Sequence, residues 1–302
     1  MFTYPKSFLR TQTDLHGPNG LVWLDRLPAI VEDCARRWDL TLGSALEPLT
    51  YNYLVSARRA DGTDVVMKVA SPTGEFMHQK AALAMFGGHG SVQLLASDDT
   101  NEVLLLESCK PGTLLDDLTD DEAIAIAASI MRQLWRPLPP DHSFPTTDDW
   151  GQGFARLRKY YGDTGPFPRT LVERAERTFA DFSAATVTPV LLHGDLHHDN
   201  ILAAQRQSWL AIDPKGVAGD PAYESGSMLL NRSSTMRISQ HPGPVLARRL
   251  DRLAGELEIE RNRLRDWGVA QAVLSAWWTV EDHGHIGEFS LACAEILAEL
   301  QF

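Results

Sequence analysis

The stretch that decides the fold is LLHGDLHHDNIL, residues 191–202, followed by WLAIDPKGVAGDPAYE, residues 209–224. Two short apolar runs bracket a dense polar cluster, and a third apolar run ends at Asp213. Runs this short, bounded by glycine, proline and charge, read as strands joined by polar loops. Asp195, Asn200 and Asp213 then stand on loops between strands. A carboxylate, an amide and a second carboxylate are hard oxygen donors, the set that Mg²⁺ takes together with substrate phosphates.

Helical patterns surround this β insertion. Downstream, helices resume after Gly219-Asp220-Pro221 and run to the C-terminus, with Trp267, Leu274 and Trp278 on one expected face. Upstream, helices are predicted over Asp120 to Leu138, Gly151 to Tyr161 and Pro168 to Ala185, with a Pro-rich loop after the first. Nearer the N-terminus the character changes. Leu21 to Trp38 reads as an amphipathic helix. Tyr51 to Ala60 and Asp64 to Ala70 form a hairpin around Asp61-Gly62. A helix over Pro72 to Phe86 stops at Gly87-Gly88, and strands follow at Ser91 to Ala96 and Glu102 to Glu107. The breaker cluster Lys110-Pro111-Gly112 marks a boundary. The expected organisation is a mainly β N-lobe, 1–109, and a larger mainly helical C-lobe, 110–302. Such segregation of strands from helices argues for an α+β class.

Composition narrows the function. The chain has 302 residues and a formal net charge of -12, with no basic run of the kind that tracks nucleic-acid phosphates. The acidity suits a cationic small-molecule substrate. No apolar run reaches the length of a membrane span, and the N-terminus lacks an apolar signal core, so a soluble cytoplasmic protein is expected. Cys34, Cys109 and Cys293 lie far apart without a CxxC, which points to reduced thiols rather than a zinc site or disulfide framework.

Asp195 precedes Asn200 by five positions, the spacing of the kinase catalytic loop. The strings HGD-x-x-x-x-N and IDP resemble the aminoglycoside phosphotransferase family. The Asp-Pro-Lys-Gly and Gly-Asp-Pro-Ala-Tyr-Glu strings look like its streptomycin 6-phosphotransferase and hydroxyurea kinase branch. The resemblance implies a two-lobed protein-kinase-like fold that uses ATP and Mg²⁺ to phosphorylate a hydroxyl of a streptomycin-like antibiotic. It implies Asp195 as the group that accepts or orients the hydroxyl proton, and Asn200 and Asp213 as the metal ligands. It implies that Lys68, in the apolar strand VVMKV, contacts phosphates and pairs with a helix glutamate. In the related family that glutamate falls where this chain has Gln79, so the partner is either Glu75, one turn earlier on the same face, or Gln79 through a neutral hydrogen bond; Glu75 is preferred because it neutralises the lysine. Glu107 and Cys109 mark the hinge expected to offer backbone groups to adenine.

Substrate recognition is assigned to Asp220, Glu224, Glu281 and Asp282, whose carboxylates suit ammonium or guanidinium groups. For Asp220 the plainer reading is the cap of a helix starting at Pro221. His193 is expected to brace its loop. The departures from a protein kinase are a glycine-free turn over Leu46 to Ser56 and the absence of HRD, DFG and APE strings. The alternatives are a metabolic kinase of the same fold acting on a sugar or amino alcohol, and a nucleotide-binding pseudokinase. A metal-dependent hydrolase built on His193, Asp195, His197, His198 and Asp199 is a third.

Overall fold

The computed structural model describes residues 4–183, 187–231, 233–239 and 241–300. The chain divides into two compact units, Met1–Gly112 and Thr113–Phe302.

The first unit opens with helices α1 (Lys6–His16) and α2 (Pro18–Arg37). Strands β1 (Leu40–Ala45), β2 (Tyr53–Arg59) and β3 (Asp64–Val69) follow, then α3 (Phe76–Phe86), β4 (Leu94–Asp98) and β5 (Val103–Glu107). The strands form a five-stranded antiparallel sheet in the order β1-β2-β3-β5-β4. Alternation in β2 and β3 puts Tyr53, Val55, Ala57, Val65, Met67 and Val69 into one core with Leu27, Val31 and Cys34 of α2. The hairpin and α2 match the sequence expectation. Strand β1 was not expected, because its LTLGSA sequence is mostly polar or small and its residues are largely exposed. Helix α1 was also missed. Its few apolar residues are anchored by buried Phe8, and Gln12 donates to the Tyr51 carbonyl at 2.7 Å. Helix α3 starts at Phe76, four residues later than expected, and Gly87 ends it at φ 58°, where a left-handed residue is needed.

The second unit begins with α4 (Asp120–Leu134), whose first turn carries a capping box between Thr119 and Glu122. The helix ends four residues before the expected Leu138. Next come β6 (Arg136–Pro137), α5 (Thr147–Gly151), α6 (Gly153–Tyr161) and α7 (Arg169–Ser183). The β insertion holds β7 (Val190–Leu192), β8 (Ile201–Ala203), β9 (Trp209–Ala211) and β10 (Val217–Gly219). Helices α8 (Ser225–Leu230), α9 (Ser234–Ile238), α10 (Pro242–Leu257), α11 (Arg261–His283) and α12 (Glu288–Glu299) complete it. Two small sheets result, β10-β7-β6 and the hairpin β8-β9. Helix α11 packs against α7, α8 and α12 and is the spine of the unit. Its buried face carries Trp267, Leu274 and Trp277. The expected face used Trp278 instead. Trp278 is partly exposed, so the buried stripe runs one residue earlier in that turn. Among the described residues, no helix is long and apolar enough to cross a membrane.

Candidate active site

Two loops of the second unit meet at the ends of short strands. The first, residues 193–200, leaves β7 and enters β8. The second, residues 212–216, leaves β9 and enters β10. Pairing in the β8-β9 hairpin sets Ile201 opposite Ala211, and the Ile212 N–H donates to the Asn200 carbonyl at 2.9 Å. Asn200 and Asp213, thirteen residues apart in sequence, are therefore neighbours across the open end of the hairpin. The Lys215 N–H donates to the His193 carbonyl at 2.8 Å, which ties the far end of the second loop to the start of the first.

Within the first loop the side chains fix one another. Asn200 Nδ2 donates to the Asp195 carbonyl at 2.8 Å. That bond sets the amide plane and commits its nitrogen, so Oδ1 is the atom left to meet a cation. His197 lies 3.7 Å from the Asp195 carboxylate and 3.5 Å from that of Asp199. Burial lowers its pKa, but the Asp199 hydrogen bond and the charges of Asp195, Asp199 and Asp213 outweigh this and raise it overall. The Asp195 carboxylate remains 41% exposed, open to a substrate. Asp213 adopts φ 59°, a left-handed conformation uncommon for a non-glycine residue. Strain of this kind gathers at sites that must aim a side chain.

The histidines of the string divide by role. His193 is fully buried, and its Nε2 meets the Ile212 carbonyl at 2.8 Å. Burial pushes its pKa down to about 4, so it is neutral near pH 7 and braces the two loops. His198 is buried beside Asp120 and Arg249, and burial followed by the Arg249 charge takes its pKa to about 4. The imidazoles thus face separate surroundings rather than one metal. Among the described residues, no group of three His, Cys, Asp or Glu side chains is arranged to hold a metal ion. The Asn200 amide with the Asp213 carboxylate is an oxygen donor set that fits Mg²⁺, an ion content with few protein ligands and several others.

Glu224 is 1% exposed, and its two oxygens accept the N–H groups of His193 at 2.6 Å and Gly194 at 2.9 Å. It anchors the backbone that leads into Asp195. Gly194 has φ 86°, and a Cβ there would come within 2.9 Å of the Trp150 ring and 3.0 Å of Val217. Asp220 caps the short 3₁₀ turn Pro221–Glu224 by accepting from Ala222 N at 3.0 Å. Its carboxylate also takes Trp267 Nε1 at 2.6 Å and Arg263 at 2.5 Å. Glu281 is held by the Arg156 guanidinium through two bonds, 2.6 and 3.0 Å. Asp282 is exposed in the last turn of α11. The roles of Glu224 and Trp150 were not read from the sequence. The one signal for the first was an acid three residues past Pro221.

In the first unit Lys68 lies in β3, paired with Leu54 on one side and Leu104 on the other, and is 4% exposed. Glu75 precedes α3 and is exposed, whereas Gln79, one turn on, is buried. Glu107 ends β5, where its carboxylate accepts the Gln93 N–H at 3.0 Å, and Cys109 is partly exposed and outside any disulfide.

A family model described as aminoglycoside/hydroxyurea antibiotic resistance kinase matches residues 37–283. The chain belongs to this family. Among relatives in that family's range, the streptomycin 6-kinase of Streptomyces griseus is 30% identical over 293 residues, covering 94% of this chain and 93% of that protein. The hydroxyurea phosphotransferase of Kitasatospora aureofaciens is 30% identical over 306 residues, covering 97% and 85%. The crystal structure of aminoglycoside phosphotransferase APH(4)-Ia shares the fold at a TM-score of 0.65 and 16% identity, covering 91% of this chain and all of that one. Choline kinase LicA from Streptococcus pneumoniae does so at 0.63 and 14% identity. Fold and family thus agree with the expectation from the sequence.

Proposed function

We propose that this kinase-family chain transfers the γ-phosphoryl group of ATP to a hydroxyl of a streptomycin-type aminoglycoside. The observation that carries the reading is the stitched pair of loops, in which Asp195, Asn200 and Asp213 converge in a chain 30% identical to a streptomycin 6-kinase over most of its length. Phosphoryl transfer asks little covalent chemistry of the protein, so positioning and charge neutralisation dominate.

In this reading Asp195 receives the acceptor hydroxyl and takes its proton as the bond to phosphorus forms. Its open carboxylate and its fixed backbone suit that task. His197 holds the aspartate and Asn200 in register. Mg²⁺ bound by Asn200 Oδ1 and Asp213 would neutralise charge on the nucleotide phosphates. Lys68 serves phosphate oxygens from β3, and the backbone after Glu107, through Cys109, serves adenine. Acceptor recognition is assigned to the exposed end of α11, where Glu281 and Asp282 stand.

A second acceptor has specific support, since the hydroxyurea phosphotransferase is equally identical over a longer alignment. ADP release with Mg-ATP, measured over streptomycin, other aminoglycosides, hydroxyurea, choline and simple sugars, separates the readings. Turnover highest with streptomycin is expected. Turnover confined to hydroxyurea moves the assignment to that branch. Turnover confined to choline or a sugar overturns the antibiotic reading and keeps the enzyme class.

A further inference from the structure

Four tryptophans cluster in the second unit, and they are not treated alike. Trp267 and Trp277 are 1% and 2% exposed, as aromatic core residues are. Trp150, in α5, and Trp278, in α11, are both only partly covered. Their ring centroids lie 5.8 Å apart and their planes cross at 88°, so they make a right-angled corner. The corner stands beside the reacting centre. The tip of Trp150 faces Gly194, the residue before Asp195, closely enough to exclude a Cβ there. Tyr223, whose hydroxyl pKa is raised by burial and then by the charges of Glu224 and Asp195, packs on Trp150 at 5.8 Å. On α11, Glu281 and Asp282 follow Trp278 by three and four residues, the spacing of side chains on one helix face. Glu281 already binds one guanidinium, that of Arg156.

We infer that the Trp150–Trp278 corner is a subsite for a guanidinium or ammonium group of the acceptor, with Glu281 and Asp282 at its rim. The inference rests on the phosphotransferase reading above and adds the group that orients the acceptor. An aromatic face attracts a cation, and a planar guanidinium also stacks on it. The exposed Asp282 carboxylate one turn away adds long-range attraction, whereas the Glu281 charge is already met by Arg156. A cation seated in the corner brings the rest of its molecule against Gly194 and Asp195. Streptomycin carries guanidinium groups and hydroxyurea carries none, so Trp278 is a specificity-determining residue for charged acceptors.

The test compares wild type with Trp278→Ala, Trp278→Phe and Trp278→Leu in steady-state kinetics with streptomycin. The alanine variant is expected to raise KM about tenfold with a smaller effect on kcat. Phenylalanine and leucine have similar bulk and fold alike, so they isolate the ring even where alanine destabilises the helix. The subsite requires the phenylalanine variant to hold streptomycin several-fold more tightly than the leucine variant. Equal KM values for the two, or a wild-type KM in the alanine variant, overturn it. Should wild type bind Mg-ATP and leave streptomycin unmodified, the functional reading fails on its own. The subsite is then decided by ligand-observed NMR with methylguanidinium. Saturable binding that Trp278→Leu abolishes supports it, and no saturable binding to wild type overturns it.

Discussion

At Glu224, burial and hydrogen bonding pull in opposite directions. Burial raises its pKa, the His193 and Gly194 amides oppose the rise, and the result is about 7. An unfolded chain releases this proton near the ordinary carboxylate value, while the folded chain keeps it to about pH 7. Its contribution to stability is therefore complete below about pH 4.5 and is lost as pH rises through 7, a change on the order of 3 kcal/mol. The ionised form is the one that accepts both amides and steadies Asp195. Turnover is expected to rise between pH 6 and 8 with a midpoint near 7. Glu224→Gln should lose that midpoint, run slower at pH 8, and keep its melting temperature across the window. An unchanged midpoint in the variant would remove Glu224 from the account. Gly194 makes a sharper claim. Alanine there meets both a left-handed φ and the Trp150 ring, so Gly194→Ala should cut kcat about a hundredfold while Mg-ATP binding, read by calorimetry, persists. Neither residue's role was legible in the string around it. The sequence shows a glycine and an acid, but not that Trp150 and two backbone amides arrive there from other elements.

The elements that flank the candidate site are short, and a buried ion pair steadies longer ones around them. Arg249 of α10 is 0% exposed and binds Asp120, at the start of α4, through Nε at 3.0 Å and Nη2 at 2.7 Å. Its Nη1 also reaches the carbonyls of Met228, Leu229 and Asn231 at 3.0 to 3.2 Å. These include the last carbonyls of α8, which lack partners within their own helix. One side chain thus joins α4 and α10 and closes the end of α8. Removing Arg249 takes from the buried Asp120 its nearest guanidinium and leaves it Arg248, whose Nη2 stands 3.1 Å away on a half-exposed side chain. Arg249→Met should lower the unfolding free energy by about 3–5 kcal/mol in a urea titration, and a loss below about 1 kcal/mol would contradict the lock. The helices themselves were legible because their apolar spacing repeats over several turns. Their ends and the stripe on α11 were less so. A shift of one residue exchanges Trp278 for Trp277, and only the neighbours α7 and α6 decide which is buried. Strand β1 was illegible for a related reason: it joins the sheet through backbone bonds and brings few apolar side chains to it.

At the scale of the molecule, the chain forms two compact units, the first holding the five-stranded sheet and the second most of the helices. The string from residue 191 to 224 could be read as a candidate site because its chemistry is local: the loop, the hairpin and the proposed oxygen donors all lie within it. The proposed acceptor subsite was not, because it draws on α5 and α11, more than a hundred residues apart. Asp195 is proposed to act on an acceptor hydroxyl with ATP as donor. The most direct test is mass spectrometry of streptomycin after incubation with Mg-ATP and either wild type or Asp195→Ala, with nucleotide binding measured in both. Wild type is expected to add one phosphoryl group, and the variant none although it still binds Mg-ATP. Phosphorylation at an undiminished rate by Asp195→Ala would contradict that role.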